Sequence, residues 1–352
     1  MAYTPKCFDK LFEGDNKQRI NLSDFACVVI NEDMIAFNNT KKTNFINRII
    51  KNYIYEADAS IHFALEREKA ILESALKKLD KEAQNYAIEA LLKYKEKELI
   101  MKANSYERGS SCAYRLWDDT VQYLTNTSEE CREADYYKNK IGAYLKAVIE
   151  EYCEKPYIER ERIYFAEKVE IIETAIKEKK RLTVIASDGN RYTVYPYGIV
   201  SDQKSMYNYL IGYSRAYESD EEMRPMSMRI SANNEFKLTK QNYPLNYAEK
   251  KELESLVKTR GVQFLLGQEE EIHVILTEAG IIQYNRQLHL RPPVAEIREG
   301  NEYIFHCTPL QAEIYFMRLG KEAYVSEPLY LNERIKNKFR EAYDSYSTNK
   351  MK

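Results

Sequence analysis

Glycine is scarce in this chain, with 11 in 352 residues. That leaves little material for flexible linkers or for a glycine-rich phosphate cradle. No Walker loop, G-x-G-x-x-G, G-x-S-x-G or H-E-x-x-H occurs. The four histidines (His62, His273, His289, His306) lie far apart, without a supporting Asp or Cys pattern. Carboxylate pairs such as Glu129-Glu130 and Glu150-Glu151 fall within helical charge runs, so no catalytic centre is expected. The six cysteines are scattered and form no C-x-x-C pair, which removes both a zinc spacing and a disulfide framework. His306 and Cys307 are neighbours, but on a strand they face opposite ways. No metal and no cofactor are expected. No apolar run reaches membrane-spanning length, and the first residues carry no apolar signal core. A cytoplasmic protein without membrane contact follows as the expectation.

What the chain has in quantity is tyrosine, 30 residues of it, and charge in blocks. The net charge of −2 hides the pattern. Residues 34–55 hold four Lys or Arg and no carboxylate; residues 177–217 hold seven basic and three acidic groups. Between them, residues 56–176 carry nineteen basic and twenty-five acidic groups. Two basic regions separated by an acidic scaffold fit a phosphate footprint better than the bulk charge does.

Residues 17–23, KQRINLS, alternate, with Lys17, Arg19 and Asn21 on one face and Ile20 and Leu22 on the other, as in a half-buried strand. Ser23-Asp24 can cap a helix carrying Phe25, Val28, Val29 and Ile35 on one side. A polar turn holding Lys41 and Lys42 leads to Thr43, a cap for a second helix bearing Phe45, Ile46, Ile49, Ile50 and Tyr53. A lone strand cannot satisfy its ladder, so this one is expected to pair with the same strand of a second copy. The resulting ribbon would point Lys17, Arg19 and Asn21 at a nucleic acid. Residues 56–175 read as helices, a packed hairpin followed by runs over 129–152 and 157–180 that act as scaffold.

At residue 181 the period changes from helix to strand. RLTVIAS and RYTVYPYGIVS flank an Asp-Gly-Asn turn, followed by MYNYLIGYSRAYE and two shorter runs. Tyr195 and Tyr197 share one strand face, as do Tyr207 and Tyr209, and one such set is expected to be core. Aromatic rings beside basic residues on a small sheet suit single-stranded nucleic acid. The candidate contacts here are Arg191, Tyr197, Lys204, Tyr209, Arg215, Arg224 and Arg229, joined by Lys17, Arg19, Asn21, Lys41 and Lys42 from the N-terminal region. Residues 245–350 then read as strand, helix, strand, strand, helix, strand and a last helix, a ferredoxin-like α/β sandwich with a tail.

Several residues in order carry a family resemblance: Lys179-Lys180-Arg181, Pro196-Tyr197-Gly198-Ile199-Val200, Asn208-Tyr209-Leu210-Ile211-Gly212 and Met228-Arg229-Ile230. Over about Tyr164 to Gln241 the chain resembles a WYL domain, with Asn208 in place of the tryptophan. The resemblance implies an Sm-like β-barrel that reads nucleic acid through one basic face. A ribbon-helix-helix, a WYL core and a C-terminal extension in this order resemble the WYL accessory proteins of type VI-D CRISPR–Cas systems. The expected architecture is multidomain α+β: 1–56 ribbon-helix-helix, 57–164 helical scaffold, 165–243 Sm-like barrel, 244–352 ferredoxin-like dimerisation domain. The resemblance implies a homodimer that binds single-stranded RNA and stimulates an RNA-guided CRISPR ribonuclease effector. The alternative reading is a DNA-binding transcriptional regulator that uses the ribbon on duplex DNA. A third is an interaction scaffold without nucleic acid.

Overall fold

A five-residue strand must find a ladder partner, and β1 (Lys17–Asn21) finds one in its own chain. The computed structural model describes residues 17–125, 130–202, 205–265 and 267–347. It divides into two units, Met1–Ala166 and Glu167–Lys352, each with its own core.

In the first unit β1 is followed by α1 (Asp24–Ala36), α2 (Lys42–Tyr53), α3 (Ile61–Ala75) and α4 (Lys81–Ser105). Then come β2 (Ser111–Arg115), α5 (Asp118–Thr125), α6 (Glu130–Tyr136), α7 (Ile141–Glu154) and α8 (Tyr157–Tyr164). The expected pairing of β1 with a second copy is corrected here. β2 lies antiparallel to β1 with Lys17 opposite Arg115 and Asn21 opposite Ser111, so the ribbon is completed within one chain. Gly109 permits this return, because a Cβ there would sit 2.3 Å from the Leu22 carbonyl oxygen.

The face assigned to α1 also needs correcting. Phe25, Val28 and Ile35 are exposed, while Ala26, Val29, Ile30 and Asp33 are buried. Asp33 is drawn inward because Arg160 grips both its oxygens, at 2.7 and 2.9 Å, and the Tyr152 hydroxyl donates at 2.8 Å. Ser23 does cap α1, accepting from the Ala26 N–H at 3.1 Å. α2 begins one residue before Thr43, with Lys41 at the cap position and Asn39 Oδ1 accepting from its N–H at 2.9 Å. Phe45, Ile46, Ile49, Ile50 and Tyr53 all turn inward against α7, the most buried helix of this unit. The run expected over 129–152 is broken between α6 and α7, where Lys138 and Asn139 take left-handed φ values.

The second unit starts on α9 (Ala166–Glu178) and five strands: β3 (Lys180–Ile185), β4 (Arg191–Asp202), β5 (Tyr207–Ala216), β6 (Arg224–Arg229) and β7 (Glu235–Asn242). All pairs are antiparallel, in the order β6-β5-β4-β3-β7. The sheet does not close into the barrel expected from the sequence. The Ile230 N–H bonds back to the Asn208 carbonyl at 3.0 Å, keeping the end of β6 on β5, and the short turn that follows delivers β7 to β3. Both end strands therefore remain edges. The register slips between Pro196 and Gly198, bending β4 where Gly212 of β5 passes it.

The chain continues through α10 (Tyr247–Arg260), β8 (Glu270–Leu276), α11 (Glu278–Arg286), β9 (Val294–Arg298), β10 (Glu302–Cys307), α12 (Pro309–Phe316), β11 (Ala323–Glu327) and α13 (Leu329–Ser347). These strands form an antiparallel sheet in the order β11-β8-β10-β9. One face buries Ile272, Val274, Phe305 and Val325 under Tyr315, Phe316 and Leu331. On the other face the His273 ring bridges Glu302 at 3.0 Å and Glu271 at 2.8 Å, and those two carboxylates raise its pKa. Cys307 is buried and His306 exposed, as their alternation requires.

Candidate nucleic-acid interface

The tyrosine face of the five-stranded sheet is built and then covered. Tyr195, Tyr209, Ile211 and Tyr213 are buried, packing against Leu253, Val262 and Leu265 from α10 and the turn after it. Helix α10 is seated by a capping box, with Asn246 and Glu249 bonding each other's backbone N–H at 2.9 and 2.7 Å. Its glutamates receive the tyrosine hydroxyls. Tyr213 donates to Glu252 at 2.5 Å, Tyr243 to Glu249 at 2.9 Å and Tyr197 to Glu254. Burial and the Glu249 carboxylate push the Tyr243 phenol up to about 12, and the bond to Glu254 together with burial raises Tyr197. These phenols stay protonated as donors, and the row of carboxylates above them is a poor surface for phosphate.

Tyr209 is 5% exposed and presents no ring face to a base. Tyr197 is half-buried beside α10. Asn208 points to the other side of β5 and is fully buried, its Oδ1 accepting from Ser201 Oγ at 2.7 Å. A large indole at this position would need space that the buried amide does not leave.

The basic residues separate into two groups at opposite ends of the strands. At one end Arg229 is exposed, lies across from Tyr209 and holds its guanidinium 4.6 Å from the Tyr207 ring centre. Lys204, in the adjoining turn, lies outside the described residues. At the other end Arg215 stands opposite Thr193, two residues from Arg191 on β4. Arg191 is exposed, whereas Arg215 is half-buried, with its Nε unpartnered and one terminal nitrogen 3.5 Å from the Glu221 carbonyl. Eight steps along β5 separate Arg215 from Tyr207, about 25 Å at the usual strand rise. Arg224 pairs with Ser214 and so falls on the opposite face from Arg215. The sheet thus brings Arg191 and Arg215 together and sets Arg229 and Arg224 apart from them.

In the first unit the ribbon exposes Lys17, Arg19 and Asn21 on β1, and beside them Ser111, Ala113 and Arg115 on β2. This outward surface has three cations and no carboxylate. Lys41 is exposed at the start of α2. Lys42 lies near enough to β2 to pull the Cys112 thiol down against the burial that raises it. Arg115 is the basic residue that sequence reading misses. SCAYR follows a Gly-Ser-Ser breaker and is too short to announce a strand, and only its pairing with β1 places it on the ribbon.

No family model and no curated protein matches the chain. Among solved structures, one described as a CRISPR Cas-related protein superimposes with a TM-score of 0.75 at 23% identity, over 99% of this chain and 100% of that one. At that identity the likeness establishes a shared fold. A second, the proteasome accessory factor B/C of Arthrobacter aurescens, scores 0.30 at 11% identity, over 66% of this chain and 38% of that one, and carries no argument. Among the described residues no helix is long and apolar enough to cross a membrane.

Proposed function

We propose that this protein is a WYL-type accessory protein of a CRISPR system that binds single-stranded RNA and stimulates the system's RNA-guided ribonuclease effector. The observation that carries the reading is the end-to-end likeness in fold to a CRISPR Cas-related protein. It is joined by the WYL-like residues from Pro196 to Arg229 and by the exposed arginines at the sheet ends. The domain assignment goes with it: ribbon-helix-helix, helical scaffold, Sm-like core and ferredoxin-like sandwich. In this reading the protein acts in the cytoplasm as a homodimer and performs no chemistry of its own. Helix α13 supports the dimer. Its stripe begins on buried Leu331 and Ile335 and runs on through exposed Phe339, Tyr343 and Tyr346, an apolar edge that a second copy would cover.

RNA bound through arginine contacts should weaken linearly in log affinity against log salt, with a slope of about −0.7 per phosphate neutralised in a single strand. Arg215→Ala combined with Arg229→Ala is expected to lower single-stranded RNA affinity about tenfold or more at moderate salt and to flatten that slope by ~1 to 1.5. Fluorescence anisotropy with a labelled oligoribonucleotide measures both. Unchanged affinity and slope would remove the two sheet ends as the binding surface.

One observation favours a second reading, duplex DNA binding by the ribbon. The ribbon is complete within one chain, two strands wide and outwardly basic through Lys17, Arg19 and Arg115. A ribbon of that width fits a major groove.

A further inference from the structure

The covering of the tyrosine face leaves one opening beside it. Between the C-terminal end of α9 and the start of α10 is a solvent-open cleft of about 150 Å³. Its walls are Pro196, Tyr197, Tyr243 and Pro244, and Lys179, just past the end of α9, and Lys250, on α10, line it as well. No carboxylate lines the cleft itself; Glu249 and Glu254 stand beside it, each occupied by the hydroxyl of a wall tyrosine, Tyr243 and Tyr197. Among the described residues neither lysine has an ion-pair partner, whereas neighbouring Lys180 is held by Glu178. Lys179 is fixed at its backbone, where its N–H donates to the Ile176 carbonyl at 3.2 Å and its carbonyl accepts from the Tyr243 N–H at 2.8 Å. Tyr243 is fixed as well, stacked on Tyr195 at 3.5 Å between ring centres and donating to Glu249. The cleft is therefore shaped before anything enters it.

We infer that this cleft seats one phosphate and its adjoining sugar from a single-stranded RNA, the phosphate lying between Lys179 and Lys250. The inference rests on the RNA-binding reading above and names a contact that reading lacks. Lysine offers three donors and no acceptor, and two lysines lining one cleft supply the donors that phosphodiester oxygens take. Tyr197 and Tyr243 supply flat carbon surface of the kind that sugars and bases rest on. Size decides between polymer and free nucleotide. At ~30 Å³ per water molecule the cleft holds roughly five waters, well below the ~300 Å³ and more of pockets that enclose a whole small ligand. A segment whose remainder runs along the surface fits it, and an enclosed mononucleotide does not.

The test uses the full chain and a labelled oligoribonucleotide titrated at several salt concentrations. Lys179→Ala with Lys250→Ala is expected to weaken binding at least tenfold and to flatten the salt slope by ~0.7 to 1.4. Lys177→Ala with Lys251→Ala removes the same charge from exposed lysines that do not line the cleft, and should change affinity less than twofold. Adenosine monophosphate at millimolar concentration should not displace the RNA. The cleft assignment is overturned if the cleft variant binds as the wild type does, if the control pair loses as much, or if the mononucleotide competes. A wild-type chain that binds no RNA would instead remove the parent reading, so the two failures are told apart.

Discussion

Asp33→Ala is expected to be the most damaging single substitution in the N-terminal unit, costing about 3–5 kcal/mol. The Asp33 side chain is 1% exposed and that of Arg160 11%, so removing the carboxylate strands a guanidinium away from water. The Tyr152 hydroxyl loses its acceptor in the same step. Arg160 would keep its bond to the Lys155 carbonyl at 2.7 Å and its place 5.7 Å from the Tyr157 ring centre, neither of which supplies a counter-charge. Urea unfolding followed by circular dichroism should show the loss as a lower midpoint. Replacing both partners by apolar residues, Asp33→Leu with Arg160→Met, should recover much of it, because neither charge of the pair then remains buried without its partner. A change below about 1 kcal/mol for Asp33→Ala would mean that the ion pair is open to solvent.

The second large effect is expected at Gly212. A Cβ there would lie 2.1 Å from the Tyr195 carbonyl oxygen and 3.1 Å from the Pro196 Cα, both backbone atoms that cannot swing aside. Gly212→Ala must push β4 and β5 apart at the bulge, at about 1–3 kcal/mol or somewhat more. Gly198, on the other side of the same bulge, has nothing within 4 Å of its notional Cβ. Gly198→Ala should therefore fall within about 0.5 kcal/mol of wild type, as surface changes do. Parallel thermal melts of the two variants check the contrast, and equal losses would contradict the close approach. The glycine of the Asn-Tyr-Leu-Ile-Gly run is thus required by the neighbouring strand rather than by a ligand.

Much of the fold is legible because its apolar spacing is clean. The five apolar residues of α2 repeat at helical intervals, and β3 to β5 are rich in β-branched and aromatic residues, with the Asp188-Gly189-Asn190 turn between the first two. The strand and helix order from β8 to α13 can be read the same way. Three features escape for physical reasons. Helix α10 buries only Leu253 completely among its charged residues, so its spacing announces no amphipathic face. Without α10 the tyrosines of β4 and β5 look like an open platform, and with it Tyr195, Tyr209 and Tyr213 become core. Asp33 carries a charge that normally marks the solvent side of a helix, and only the sequence-distant Arg160 and Tyr152 explain its burial. β2 is visible only through its pairing, which conceals both the ribbon made within one chain and Arg115. As for the site, the sequence picks out the basic residues but not their separation to the two ends of the sheet. The lysines of the cleft meet only when α9 and α10 are brought together.

The central claim is preference for single-stranded RNA, and a side-by-side titration tests it most directly. Labelled single-stranded RNA, single-stranded DNA and duplex DNA of equal length and matched sequence are titrated with the full chain at two salt concentrations. The account predicts tightest binding to the RNA, weakening steeply as salt rises. Tighter binding to the duplex, or no binding to any of the three, would contradict it.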